Sequence, residues 1–322
     1  MPTNSVPILV ADIGGTNARF ALASVAPKIN VSQLQILATE DYASLQEAAL
    51  AYLKTTIGPR PTIASIAIAG FVANDLVQMT NCPWSFRKSA LANELGMEHV
   101  SVQNDFAAIA CALPFLANDD LLQVGGKGAD PLGSKVVIGP GTGIGVAALA
   151  PVGEGWKVLA SEGGHVGFAP ADDLERQILR TVKHKYPRVS VERIISGQGF
   201  ATLHQALAAL RGETAPIMTP KEITCEALAN PTSHCGQVVD VFCGILGSFA
   251  GDMAVTFNAT GGVYLAGGIL PKIQSFFLNS RFRERFEDKG RLTYVKDIPT
   301  FQIKEKQPAL VGCAARIEGQ YY

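Results

Sequence analysis

The sequence predicts an α/β protein of two domains with a ligand cleft between them, and three observations lead there. A chain of 322 residues that is 48% hydrophobic and 17% charged can bury a large core, and its length exceeds what one core usually organises. Short apolar runs rich in Ile, Val and Ala alternate with segments of helical apolar spacing. One pattern, an apolar strand, a glycine-rich turn with a threonine and a returning strand, occurs twice: VPILVADIGGTNARFALA near the start and KVVIGPGTGIGVAALA from Lys135. Two such halves put both glycine turns at facing strand ends, where open α/β sheets bind ligands.

In chain order, Ile8 to Ala11 reads as a buried strand that meets Gly14-Gly15, and Ala18 to Ala23 as its returning partner. Tyr42 to Tyr52 has helical spacing, Ile63 to Ala69 is a buried strand, and Lys88 to Leu95 is helical again. His99 to Val102 is a strand ending in Asn104-Asp105, and Phe106 to Leu113 is apolar enough for a buried helix, so Asp105 falls at a strand-to-helix junction. After the second glycine turn, Asp173 to His184 and Thr202 to Leu210 read as helices, and Gly212 to Pro220 as a loop. Val238 to Phe257 is a long apolar helix that must be buried, and Val263 to Ala266 is a strand running into Gly267-Gly268. Pro308 to Ile317 is a short closing helix with proline at its start, placed to pack back on the first domain.

Composition excludes several classes of function. Formal net charge is -1, with Lys and Arg spread along the chain, so no nucleic-acid or anionic-membrane surface is expected. The six cysteines form no CxxC pair, and His234 beside Cys235 is too little for a zinc site. Asp12 and Arg19 interrupt the apolar stretch that a signal peptide would need, and no other segment reaches the roughly 18 apolar residues of a membrane span. The expected compartment is the cytoplasm, where the thiols stay reduced.

Chemistry concentrates in a few motifs. In Asp12-Ile13-Gly14-Gly15-Thr16-Asn17, paired glycines let a phosphate approach backbone amides, Thr16 and Asn17 add donors, and Asp12 would hold Mg²⁺ directly or through water. An ordinary hairpin turn capped by Asp is the competing reading. In Gly139-Pro140-Gly141-Thr142-Gly143-Ile144-Gly145, glycines at alternate positions suit a di- or triphosphate, but the turn lacks the Walker ending and the dinucleotide spacing. Gly267-Gly268 would let adenine or ribose lie against bare backbone, or is simply a strand-to-helix turn. Asn104-Asp105 offers a carboxylate able to orient a hydroxyl and accept its proton, against the plainer role of capping the next helix. Glu162-Gly163-Gly164-His165 presents a carboxylate and an imidazole on a compact turn fit to grip sugar hydroxyls, with metal binding ranked second. Glu192 in SVERIISG is a further carboxylate, a type that is more often a surface charge.

Taken together, ADIGGTNARFAL, QNDFAA, GPGTGIGVA, SEGGHVGFAP, SVERIISGQG, GGVYLAGGI and FEDKGR resemble the bacterial glucokinase family, in order and spacing, through nearly the whole chain. The resemblance implies two domains of the actin-like ATPase (ribonuclease H-like) type flanking a cleft, divided as residues 1–114 plus 306–322 and residues 115–305. It implies a homodimer that uses Mg-ATP to phosphorylate glucose at its 6-hydroxyl. It makes Asp105 the catalytic base, with Asn104, Asp105, Glu162, His165 and Glu192 on the sugar. Asp12, Gly14, Gly15, Thr16 and Asn17 would form the first phosphate loop, with Asp12 toward Mg²⁺. Gly141, Thr142 and Gly143 would form the second, and Gly267 and Gly268 would lie by the adenosine. The zinc-binding cysteine cluster of a related repressor and kinase group is not matched, since residues 166–173 contain no cysteine, so no zinc is expected. Gln198 and Pro140 depart mildly from the family pattern and leave the glycines intact.

Two rivals remain at this level. A sugar-sensing repressor would need a DNA-binding segment for which the residues before Asp12 leave no room. A chaperone- or filament-type ATPase has no use for Asn-Asp and Glu-x-x-His facing a polyol. Mannose or fructose would differ from glucose only in the disposition of a few groups, which fold analogy does not resolve.

Overall fold

The computed structural model describes residues 6–70, 72, 74–79 and 82–317. The chain groups into two compact units, Met1–Asp120 with Pro151–Ala160 and Glu305–Tyr322, and Leu121–Ala150 with Ser161–Lys304. The main passages between units thus fall after Asp120 and Lys304, against 114/115 and 305/306 in the sequence reading.

In the first unit, β1 (Ile8–Ile13), β2 (Asn17–Ser24) and β3 (Asn30–Ala38) form an antiparallel meander. Helix α1 (Leu45–Thr55) then leads to β4 (Ile63–Ile68), which lies parallel to β1. A small hairpin, β5 (Leu76–Gln78) and β6 (Ser85–Arg87), precedes α2 (Lys88–Leu95), and β7 (His99–Asn104) joins β4 in parallel before α3 (Asp105–Ala112). The sheet order is β3-β2-β1-β4-β7. β1 and β4 read as continuous apolar runs because both their faces are covered. Leu9, Ala11 and Ile13 share one core with Leu45, Tyr52, Leu91 and Trp84.

From Leu121 to Lys304 the chain repeats the plan. β8 (Leu121–Gly125) is followed by β9 (Lys135–Pro140), β10 (Ile144–Val152) and β11 (Gly155–Ser161). Helices α4 (Asp173–Lys183), α5 (Gly197–Leu210), α6 (Pro220–Ala229) and α7 (His234–Thr256) come next. β12 (Val263–Leu265), α8 (Gln274–Leu278), α9 (Phe282–Glu287) and β13 (Thr300–Ile303) complete it. The sheet order is β11-β10-β9-β12-β13-β8, with β9, β12 and β13 parallel. Five strands of each sheet therefore correspond one to one, and β8 is an addition at the far edge. The repeat visible in two glycine turns is a repeat of whole sheets.

Contrary to the expectation that no segment suffices for a membrane span, α7 is long and apolar enough by length and composition. Its most apolar window is 72% buried, and it packs against α5, α6 and α9, which makes it the core helix of its unit.

The closing helix, α10 (Pro308–Ile317), packs on α3 and on β1 and β4, as its apolar face required. The approach to α3 is close. A Cβ on Gly312 would lie 1.7 Å from the Ala108 carbonyl oxygen, so only glycine fits there.

Candidate active site

The candidate residues of the first unit lie at the carboxyl ends of its three parallel strands. Asp12 is at the end of β1 and Asn104 at the end of β7, and the register Ile13, Ile68, Asn104 sets the two ends two strand spacings, about 10 Å, apart. Between them the Ala69 N–H donates to the Ile13 carbonyl at 3.0 Å, and Asn104 Nδ2 donates to the Gly70 carbonyl at 3.2 Å.

Gly14, Gly15 and Thr16 form the tip of the β1–β2 hairpin, closed by the Gly14 N–H donating to the Asn17 carbonyl at 2.9 Å. Buried Thr39 staples this turn from behind, its Oγ1 donating to the Gly15 carbonyl at 2.8 Å and its N–H to the Thr16 carbonyl at 3.0 Å. Carbonyl and following amide point opposite ways across a trans peptide, so the staple turns the Thr16 and Asn17 amides away from Thr39. Thr16 and Asn17 are exposed. Asp12, 20% exposed, accepts from Arg19 Nη1 at 3.1 Å. Burial pushes its carboxyl above the ordinary value, and the Arg19 guanidinium works against that rise.

At the β7–α3 junction the capping role belongs to Asn104. Its Oδ1 accepts from the Phe106 and Ala107 amides at 2.9 and 3.1 Å, while Asp105 is the first residue of the helix and also accepts from the Phe106 amide, at 2.9 Å. The plainer reading of Asp105 as the cap is thereby replaced.

In the second unit, the Gly141–Gly143 turn between β9 and β10 is closed by the Gly141 N–H donating to the Gly143 carbonyl at 2.7 Å, and Gly197 at the start of α5 donates to the Gly141 carbonyl at 2.7 Å. Glu192 sits under this turn in the short 3-10 segment Val191–Arg193, and its Oε2 accepts from the Ile144 N–H at 3.1 Å. A Cβ on Gly143 would meet that oxygen at 2.3 Å.

Glu162 precedes the 3-10 turn Gly163–His165. Gly164 is pressed on β10, where a Cβ would lie 2.2 Å from the Ile144 carbonyl oxygen. Glu162 Oε2 and His165 Nε2 are 4.0 Å apart and exposed. The segment after His165 pairs with the one before Glu192: Val191 N–H donates to the Val166 carbonyl and Phe168 N–H to the Val189 carbonyl, both at 3.0 Å. Glu162, His165, Glu192 and the second glycine turn therefore converge. Gly267 joins them, with a positive φ of 88° and Pro140 so close that a Cβ would lie 2.5 Å from its carbonyl oxygen. A cavity of about 620 Å³ in this unit is lined by Leu228, Gln237, Asp240, Phe276 and Asn279 among others, at α6, α7 and the end of α8.

Two supports escaped the sequence reading. Arg19 was legible in principle, because a hairpin turning at Gly14–Thr16 sets Asp12 opposite Arg19. Thr39 lies beyond any local signal.

Two sheets of one repeated topology, each with a glycine turn at a hairpin tip, define a protein of the actin-like ATPase fold. The glucokinase family model matches residues 9–320. A glucokinase of Chromobacterium violaceum is 44% identical over 312 residues, 97% of this chain and 89% of that one. A glucokinase of Saccharophagus degradans is 43% identical over 315 residues, 97% and 98% of the two chains. Among solved structures, a glucokinase from an Antarctic psychrotroph superposes with a TM-score of 0.91 at 38% identity, covering 98% and 99% of the two chains. A ROK family glucokinase from Streptomyces griseus, solved with glucose and AMPPNP, has a TM-score of 0.63 at 18% identity over 96% and 98%, a likeness of fold. The chain belongs to the glucokinase family.

Proposed function

We propose that the enzyme transfers the γ-phosphoryl group of ATP to the 6-hydroxyl of glucose, giving glucose 6-phosphate and ADP, with Asp105 as the catalytic base. One observation carries the choice of base: Asn104 caps α3, so Asp105 is not needed as the cap and stands at the carboxyl edge of the strands that also bear the Asp12 turn. Family membership carries the reaction.

Phosphoryl transfer through a loose transition state asks for position and charge neutralisation more than for basicity. Asp105 orients the hydroxyl and takes its proton as the new P–O bond forms. Asn104, Glu162, His165 and Glu192 grip the remaining hydroxyls with Asp105. The turns Gly14–Asn17 and Gly141–Gly143 offer amide and side-chain donors to the phosphates, and Gly267-Gly268 lie by the adenosine. Glu192 links two tasks, because the carboxylate proposed for the sugar also holds the Ile144 amide next to the second turn.

Among the described residues no three His, Cys, Asp or Glu side chains form a metal-binding group. A lone half-buried carboxylate such as Asp12 fits Mg²⁺, which is held largely by phosphates and water, and does not suit zinc. Bound Mg²⁺ would neutralise phosphate charge. The enzyme works as a homodimer, as the family resemblance implies, and its near-neutral charge and cysteines without disulfides point to the cytoplasm and to small-molecule partners, without nucleic acid or membrane.

Asp105→Asn tests the base. Glucose binding, measured by calorimetry, is retained, and turnover falls on the order of 10²–10⁴-fold. Near-normal turnover removes Asp105 from the role.

A further inference from the structure

Behind the carboxyl edge of the first unit's sheet runs a buried polar chain that none of these roles uses. Gln103, 5% exposed, is the β7 residue before Asn104 and lies between two thiols. Cys111 of α3 donates to its Oε1 at 3.9 Å, its Nε2 donates to Cys313 of α10 at 3.8 Å, and Cys313 donates to the Ala11 carbonyl of β1 at 3.5 Å. The bonds run in one direction and end on the peptide that joins Ala11 to Asp12. Burial pushes the thiols up to about 11 at Cys111 and about 12 at Cys313, so both keep their protons.

An amide taken out of water is costly unless it is well bonded, and sulfur is a weak partner. An apolar side chain of the same size would fill this space at no such cost. What the amide adds is direction: it ties α3, β7, α10 and β1 together at fixed angles, immediately behind Asp105 and Asp12.

We propose that Gln103, through Cys111 and Cys313, is a positioning residue for phosphoryl transfer, holding the junction that bears Asp105 in register with the strand end that bears Asp12. The proposal rests on the roles given above to Asp105 and to the Asp12 turn. Transfer demands reacting atoms within about 3.5 Å, and a displacement of about 1 Å costs on the order of 10²-fold in rate. A lost tie at this depth therefore acts chiefly on kcat, since a small shift of Asp105 spoils its alignment with the phosphoryl group while Glu162, His165 and Glu192 still hold the sugar.

The test compares Gln103→Met, Cys313→Ala and Cys313→Ser with the unsubstituted enzyme in kcat, KM for glucose, KM for ATP and melting temperature. Gln103→Met and Cys313→Ala lower kcat about tenfold, with both KM values within about twofold. Cys313→Ser, whose hydroxyl both donates and accepts, restores most of kcat. If Gln103→Met does not fold, the Cys313 pair carries the test alone. A kcat within about twofold of the original in Gln103→Met, or equal losses in Cys313→Ala and Cys313→Ser, overturns the proposal. Asp105→Asn, run alongside, separates the two claims: if it is inactive while Gln103→Met is normal, only the network is wrong; if it is active, the base itself is misassigned.

Discussion

Glu192 shows how a single side chain is constrained from two sides. Its Oε2 holds the Ile144 amide while Gly143 leaves the space that it fills, so Gly143→Ala drives a methyl into the carboxylate. Either the turn or Glu192 moves, and kcat/KM for glucose falls about tenfold or more with little change in melting temperature. Unchanged kinetics would mean that this contact is not part of the site. Asp12 carries an opposite tension, between stability and function. Its folded pKa is raised by burial, so the ionised carboxylate opposes folding. That cost is absent below the unfolded value of about 3.9, grows as pH rises toward the folded value, and is complete above it. Asp12→Asn therefore raises the melting temperature of the ligand-free protein at pH 8, by an amount that shrinks on acidification, and it weakens ATP use. A lower melting temperature at pH 8 would show that the Arg19 pair outweighs the burial.

Among the elements, the helical layer of the second unit depends on Arg285 of α9. It donates to Asp172 at 2.9 Å, to Glu175 at 2.6 Å and to Ser248 of α7 at 3.0 Å, joining three helices at a buried point. Burial pushes the Glu175 carboxyl above its ordinary value. At Asp172, burial is outweighed by the Glu175 amide and Arg285, which hold that carboxyl below it. Arg285→Met leaves Glu175 buried without its cation and destabilises the unit by about 3–5 kcal/mol in denaturant unfolding. Adding Glu175→Gln recovers much of the loss, and no recovery would contradict the account. What the sequence revealed about elements follows from burial. Lys88–Leu95 and Pro308–Ile317 were legible to the residue, because apolar spacing and an N-terminal proline marked them. β3 was missed because it is an edge strand with mostly exposed residues, which blurs its alternation. α5 starts at Gly197 and not Thr202, since Gly-Gln-Gly resembles a loop until the Ser196 cap on the Gly199 amide is seen. α6 was legible and overlooked: Thr219, Pro220 and Glu222 spell a capping box with proline at the first position.

At the scale of the whole molecule, the duplicated glycine turn stands for a duplicated sheet, and the parallel strands bring residues distant in sequence to one edge in each unit. Asp12 and Asn104 are an example, 92 positions apart in the chain (104 − 12) and two strands apart in the sheet. The motifs named the residues; of their supports, Thr39 comes from a tertiary neighbour with no local pattern, and Gln103, though it opens QNDFAA, shows its partners Cys111 and Cys313 only in the fold. The most direct test of the central claim is a coupled ADP-release assay with Mg-ATP and a panel of glucose, mannose, fructose, N-acetylglucosamine and glycerol. ADP release that depends on sugar, with the highest kcat/KM for glucose, is the result expected. ADP release at the same rate with no sugar present would contradict it, leaving the fold correctly read and the function not.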